Sequence, residues 1–299
     1  MKSSDQNPPL APGLYLVATP IGNLEDITLR ALRILRSVDR IACEDTRQTQ
    51  KLLNHFEIAT PTVSYHLHNE DQRSRELVEQ LKDGARIAVV SDAGTPGIAD
   101  PGHELVTQAI SAGIAIVPIP GANATINALI ASGLATEHFT FHGFLPAKEG
   151  QRRTSLEALR EQASDSTLQP VSTHVFYEAP HRILDALTDL ESIFGPTQPV
   201  VIARELTKLH EEFLRGTVRE LRTQLASRAS VRGEMVLLFS PLAAPSAAIP
   251  TRSIAREVAT LMQSESLSEK DALKRVARER GIGKSEAYRE LQREQNRLR

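Results

Sequence analysis

Arg86-Ile87-Ala88-Val89-Val90-Ser91-Asp92-Ala93-Gly94-Thr95-Pro96-Gly97-Ile98-Ala99-Asp100-Pro101-Gly102 is the stretch that decides the fold. Residues 86–90 end in an unbroken apolar run, the pattern of a buried strand. The twelve residues that follow hold three Gly, two Pro and two Asp. A plain crossover needs far less. Glycines allow close ligand approach and prolines stiffen the loop, so it is a preformed one. In open α/β sheets, ligands bind beyond the carboxyl ends of strands. The spacing is neither GxxxxGK[ST] nor GxGxxG, which disfavours nucleoside triphosphate and ordinary dinucleotide sites.

The same rhythm extends outward on both sides. Leu14 to Ala18, Val38 to Cys43, Thr62 to Tyr65 and Ile114 to Ile119 are predicted strands, with amphipathic helical stretches between them. Asp26 is the expected cap of a helix carrying Leu29, Leu32, Ile34 and Leu35. Strands alternating with helices imply parallel pairing. Loops 18–24 and 118–125 also follow strands and are built of small residues. Further on, strands over 138–144, 174–177, 199–203, 212–214 and 234–239 are spaced for partly antiparallel pairing. The expected organisation is a disordered leader (1–12), an α/β domain (13–119), a second α/β domain (120–240), a Pro-rich linker (241–250) and a helical C-terminal domain (251–299). In that last part, Ser268 caps one helix, the Gly281-Ile282-Gly283 turn breaks it and Ser285 opens the next. This is the sequence form of a helix-turn-helix.

The 299 residues carry 35 Lys and Arg against 37 Asp and Glu, a net charge of −2. That near-neutral total hides a division. Residues 251–299 hold 12 basic and 8 acidic residues, a net of +4, and the remaining 250 hold 23 and 29, a net of −6. Arg275, Arg278, Arg280, Lys284, Arg289, Arg293, Arg297 and Arg299 offer phosphate contacts, although a solvated helical pair would look similar. A single cysteine, Cys43, sits in an apolar run and reads as inert core. It excludes an internal disulfide framework. The histidines lack metal-ligand spacing, so no metal is expected. No apolar run suits a bilayer, so no membrane partner is expected, and the implied setting is a reducing cytoplasm.

Charged clusters recur after strand ends: Glu44-Asp45-Thr46-Arg47, His66 to Glu70, Glu178 with His181 and Arg182, and Arg204-Glu205 with Lys208. GLYLVATPIGNLEDITLRAL, EDTR, SDAGTPGIADPG, PIPGANAT, VFYEAPHR and GEMVLLFS occur in one order. Together they resemble the tetrapyrrole-methylase-like superfamily of S-adenosylmethionine-dependent methyltransferases. SDAGTPGIADPG combined with EDTR is similar to its rRNA-modifying branch rather than to the corrin and sirohaem enzymes. The resemblance runs from about Gly13 to Ser240. It implies two α/β domains with the cofactor in the cleft between them, a homodimer, and 2′-O-methylation of a cytidine in 16S rRNA of the small ribosomal subunit. By motif matching it places S-adenosylmethionine contacts on Ile21, on Ala93, Gly94, Thr95 and Ile98, on Ala122, Asn123 and Ala124, and on Glu178, Leu206 and Met235.

Methyl transfer is an in-line displacement in which orientation supplies much of the rate. A ribose hydroxyl is a weak nucleophile, helped by a positioned base or cation. Glu44, Asp45, Asp100, Glu178 and Glu205 are candidates for base or orienter. Arg47, Arg182, Arg204 and Lys208 are candidates for holding phosphate or lowering the hydroxyl's pKa. The residues do not rank them. A tetrapyrrole methylase of the same fold is the alternative. A DNA-binding regulator with a ligand-sensing body is a third reading, disfavoured by a small tail on so large a body.

Overall fold

The computed structural model describes residues 9–164, 172–242, 254–265, 267–279, 283, 287–288 and 291–292. Most of the expected leader, most of the linker, Ser285, and the basic residues Arg280, Lys284, Arg289, Arg293, Arg297 and Arg299 lie outside these. The chain divides into two compact units, Met1–Leu242 and Ala243–Arg299.

The larger unit contains two five-stranded sheets. The first joins β1 (Gly13–Val17), β2 (Arg40–Cys43), β3 (Thr62–Ser64), β4 (Arg86–Val90) and β5 (Ile116–Ile119) in the order β3-β2-β4-β1-β5, with every pair parallel. The helices α1 (Leu29–Ser37), α2 (Thr46–His55), α3 (Glu70–Lys82) and α4 (His103–Ser111) make the crossovers. One apolar core contains Ile34, Leu35 and Leu53, and another contains Leu77, Leu81 and Leu105. Helices on both faces explain why β4 is apolar at consecutive positions.

Asp26 does not cap α1. It ends a short 3₁₀ turn, Leu24–Asp26, which Asn23 caps, and Thr28 Oγ1 accepts the Ala31 N–H at 3.0 Å. Thr28 stands three residues before the free amide it satisfies, as an N-cap must, whereas Asp26 lies too far upstream.

The second sheet joins β6 (Phe139–Phe144), β7 (Thr173–Glu178), β8 (Pro199–Arg204), β9 (Glu212–Thr217) and β10 (Met235–Phe239) in the order β6-β7-β10-β8-β9. The β6–β7 pair is parallel and the others are antiparallel. Helices α6 (Glu149–Ser164), α7 (Ile183–Phe194) and α8 (Val218–Ala226) contribute Leu156, Leu187 and Leu221 to one core. Helix α5 (Ala124–Ser132) puts Ala128 and Leu129 against Val175, Val201 and Val236 in another. A buried ion pair, Arg152 Nε to Asp189 Oδ2 at 2.7 Å, ties α6 to α7.

The smaller unit holds α9 (Ile254–Glu265) and α10 (Glu269–Glu279). Ile254, Val258, Ala272, Leu273 and Val276 are buried together, and Ser268 Oγ accepts the Asp271 N–H at 3.2 Å. No helix of the described residues is long and apolar enough to cross a membrane.

Candidate functional site

Strands β1 and β4 are neighbours in the first sheet, so the loops that leave them run side by side. Thr19 and Gly94 exchange both backbone hydrogen bonds, at 2.9 and 3.1 Å. Gly94 has φ 85°, and a Cβ built there stands 3.2 Å from Ile21 Cγ2, so glycine serves both backbone and packing. The loop after β5 joins them. Thr95 Oγ1 donates to the Ala122 carbonyl and accepts from Asn123 Nδ2, each at 3.2 Å. Asn123 Oδ1 in turn caps α5 through the Ile126 N–H. Thr125 Oγ1 reaches the second sheet, donating to Tyr177 Oη at 3.1 Å.

These loops face the ends of β7, β8 and β10 across a cavity of about 380 Å³. That volume lies within the usual range of about 300–1,000 Å³ for small-molecule sites. Ile21, Ala93, Gly94, Thr95, Ile98, Asn123 and Ala124 line one side, and Glu178, Leu206 and Met235 the other. Ala122 stands behind the wall, holding Thr95 through its carbonyl. Phe144, Tyr177, Ala179, Pro180, Ala203, Glu234 and Val236 also line the cavity; none was an expected contact, although Tyr177, Ala179 and Pro180 lie in VFYEAPHR and Glu234 and Val236 in GEMVLLFS. The signal for them is topological. β10 runs antiparallel to both β7 and β8, which sets its beginning beside their ends; Met235 pairs with Glu178 and with Arg204.

The charged lining is of one sign. Asp100, Glu178 and Glu234 line the cavity, and among the described residues no Lys, Arg or His does so. Glu178 Oε1 accepts the Ala179 N–H at 2.9 Å and lies 3.2 Å from Arg182 Nε. Its Oε2 is buried and has no hydrogen-bond partner. Burial raises its pKa. Asp100 follows Ala99, whose φ of 62° is uncommon outside glycine. Burial, then the charge of Glu44, pushes the Asp100 carboxyl up to about 6; Asp92 adds to this and a hydrogen bond with Ser91 opposes it. Glu44 is raised as well, by burial and then by Asp92.

The remaining candidates divide into separate groups. Asp45 is the N-cap of α2, accepting the Arg47 N–H at 2.8 Å and gripping its guanidinium, which holds the carboxyl down at about 2. Arg47 itself is 86% exposed. Arg182 donates to the Leu145 carbonyl and flanks Glu178, so it positions the wall from behind. Arg204 is held by Glu212 at 2.9 Å and by the carbonyls of Arg232 and His210. Lys208 bridges Glu205 and Glu234 at 2.9 and 2.8 Å. Among the described residues, no group of three or more His, Cys, Asp or Glu side chains is arranged to hold a metal ion.

Residues 13–222 match the model of the tetrapyrrole (corrin/porphyrin) methylases. A ribosomal RNA small subunit methyltransferase I of Halalkalibacterium halodurans is 48% identical over 283 residues, covering 92% of this chain and 93% of that one. The protein of the same name from Synechocystis is 46% identical, covering 92% and 95%. Among solved structures, a diphthine synthase superposes with a TM-score of 0.58 at 15% identity, covering 76% of this chain and 89% of that one. The uroporphyrin-III-C-methyltransferase of Thermus thermophilus gives 0.51 at 19%, covering 76% and 93%. These two likenesses are of fold. The paired sheets, the shared cavity and the matches over most of the chain lead to one conclusion: the chain belongs to the tetrapyrrole methylase family, in the branch of the ribosomal RNA small subunit methyltransferase I proteins.

Proposed function

We propose that the protein methylates a ribose 2′-hydroxyl of a cytidine in 16S rRNA, with S-adenosylmethionine as donor. The observation that carries the donor assignment is the sign of the cavity's charge. Asp100, Glu178 and Glu234 supply the charged lining, Glu178 flanked by Arg182 and Glu234 held by Lys208, which leaves Asp100 as the carboxylate with no ion pair among the described residues to face a sulfonium. The residues fit that group. Gly94, Ala93 and Ala124 leave backbone atoms open to a ligand, and Glu178 Oε2 is a buried acceptor awaiting a donor. When bound, the donor supplies an electrophilic methyl on a positively charged sulfur.

The chain's own groups do the rest. Thr95, Asn123 and the Ala122 carbonyl form a hydrogen-bonded brace that fixes the loop bearing Ile98 and Asp100. Asp100 is the candidate to take the hydroxyl proton: it lines the cavity, and with a pKa near 6 it is ionised at neutral pH yet more basic than an ordinary carboxylate. The names of the relatives support rRNA as the acceptor, and the basic tail supports docking through phosphates.

Incubating the protein with small-subunit rRNA and isotopically labelled donor, followed by mass spectrometry of nuclease fragments, tests this. Label on a cytidine ribose is the expected result. Label on a base, or on a tetrapyrrole with none on RNA, would refute it.

A further inference from the structure

A second cavity, of about 450 Å³, adjoins the first at the carboxyl end of the first sheet. Ile21, Ala93 and Glu234 line both. Its outer wall is α2, through Gln48, Thr49, Lys51, Leu52 and His55. The exposed residues of α2 are Arg47, Gln48, Gln50, Lys51, Asn54 and His55, none of them acidic. The neighbouring α1 carries Arg30, Arg33 and Arg36, again with no acidic residue. This concentration stands out in a body whose net charge is −6.

The cations differ in how they are engaged. Arg47 is paired with Asp45, and Arg36 donates to the Phe56 carbonyl. Lys51 Nζ donates to Gln48 Oε1 at 2.8 Å, and among the described residues no carboxylate lies within ion-pair distance of it. The carboxylates at the inner end of this cavity are already engaged: Asp92 Oδ1 accepts the Asp45 N–H, and Glu234 Oε2 accepts from Lys208.

We infer that this second cavity and the exposed face of α2 form the RNA track of the catalytic body. A single-stranded segment next to the methylated nucleotide lies along it, with a phosphate on Lys51 and further contacts to Gln48 and His55. The amides and imidazole suit sugar and phosphate oxygens, and Lys51 supplies the charge. The track ends at the wall shared with the acidic cavity. Lys51 holds a phosphate at the outer end of the track, and beyond the shared wall the first cavity offers no cation of its own to a second one, which leaves a ribose at the methyl donor. The inference rests on the rRNA reading above.

The test uses the full-length protein, a fluorescent small-subunit rRNA fragment and anisotropy over a range of salt concentrations. Lys51→Glu is compared with Lys82→Glu, the same charge change at the end of α3. The expected result for Lys51→Glu is binding weakened about tenfold, with the slope of log K against log salt reduced by about 0.7–0.9, the value of one phosphate contact. Lys82→Glu should match the unaltered protein. Both proteins should stay folded, Lys82→Glu losing only its exposed ion pair with Glu79, and S-adenosylmethionine affinity by calorimetry should be unchanged in both. A Lys51→Glu protein that keeps the affinity and the slope, while the unaltered protein methylates rRNA, overturns the track and leaves the function standing. An unaltered protein that neither binds nor methylates rRNA overturns both.

Discussion

Lys208, in the loop after β8, lies across Gly22, in the loop after β1: a Cβ built on Gly22 would collide with Lys208 Cγ. A lysine from the second sheet thereby rests on a bare backbone position of the first. The contact joins the walls of the site directly, because Lys208 also holds Glu205 and Glu234.

Gly22→Ala should therefore act on both catalysis and stability. The clash falls on Cγ, close to the root of the ion-paired Lys208 side chain, so the two loops must move apart and unfolding free energy should fall by about 1–3 kcal/mol. Methyl transfer should fall several-fold as Lys208 releases Glu234. Chemical denaturation and initial rates on rRNA measure the two effects. A variant with unaltered rates would mean that the ion-paired lysine has no part in the reaction.

Thr95→Arg should abolish donor binding. It places a long cation in a cavity lined with carboxylates and removes the hydroxyl that joins Ala122 to Asn123. Titration calorimetry should show no S-adenosylmethionine binding, whereas the folded circular dichroism spectrum persists.

Asp100 links activity to pH in one direction and stability in the other. Its folded pKa, about 6, stands above the ordinary 3.8. A base must be ionised, so methylation should rise as pH increases through about 6. Stability runs the opposite way: the folded state favours the protonated form, and that contribution is lost as pH rises from about 4 to about 6. Asp100→Asn should remove the penalty, raising stability at pH 7.5 by on the order of 1 kcal/mol while reducing methyl transfer. Thermal melts at pH 4 and pH 7.5 should show a gain only at the higher pH.

Asp189→Ala should be costly. Both side chains of the Arg152–Asp189 pair are about 5% exposed, so the substitution leaves a buried guanidinium without its charge partner. A loss of about 3–5 kcal/mol is expected in chemical denaturation. Asp189→Asn should recover part of it by keeping an acceptor.

Deleting residues 251–299 should weaken rRNA binding and leave donor affinity intact. The tail forms its own compact unit, and the donor cavity is lined entirely by residues of the larger one. Calorimetry and RNA anisotropy on the truncated chain separate the two.

Legibility in the sequence followed how local the cause was. Strand β4 spans Arg86–Val90 as its apolar run predicts, and the glycine-rich loop after it forms a cavity wall. The mixed pairing of the second sheet also followed from strand spacing. The α1 cap was misplaced because Asp26 and Thr28 are both capable residues, and only the chain's path through the 3₁₀ turn selects between them. Helix α6 gave little signal: it buries Leu156 and Leu159 but also Arg152, whose burial depends on Asp189 37 residues away. Phe144 and Ala203 belong to no glycine-rich loop. They reach the cavity from β6 and β8 through strand register, which no single window of sequence displays.

The order of strands has a consequence for synthesis on the ribosome. The first sheet has all its strands once Ile119 has emerged. In the second, β10 is made last but lies at the centre, between β7 and β8. Until Met235–Phe239 arrives, β6–β7 and β8–β9 are separate pairs with unfilled edges, a state prone to mispairing. Met235 and Val236 also complete the cavity wall. A nascent chain therefore lacks this cavity wall until its last strand inserts, and a ligand of the cavity present during translation can favour only a body that is already complete.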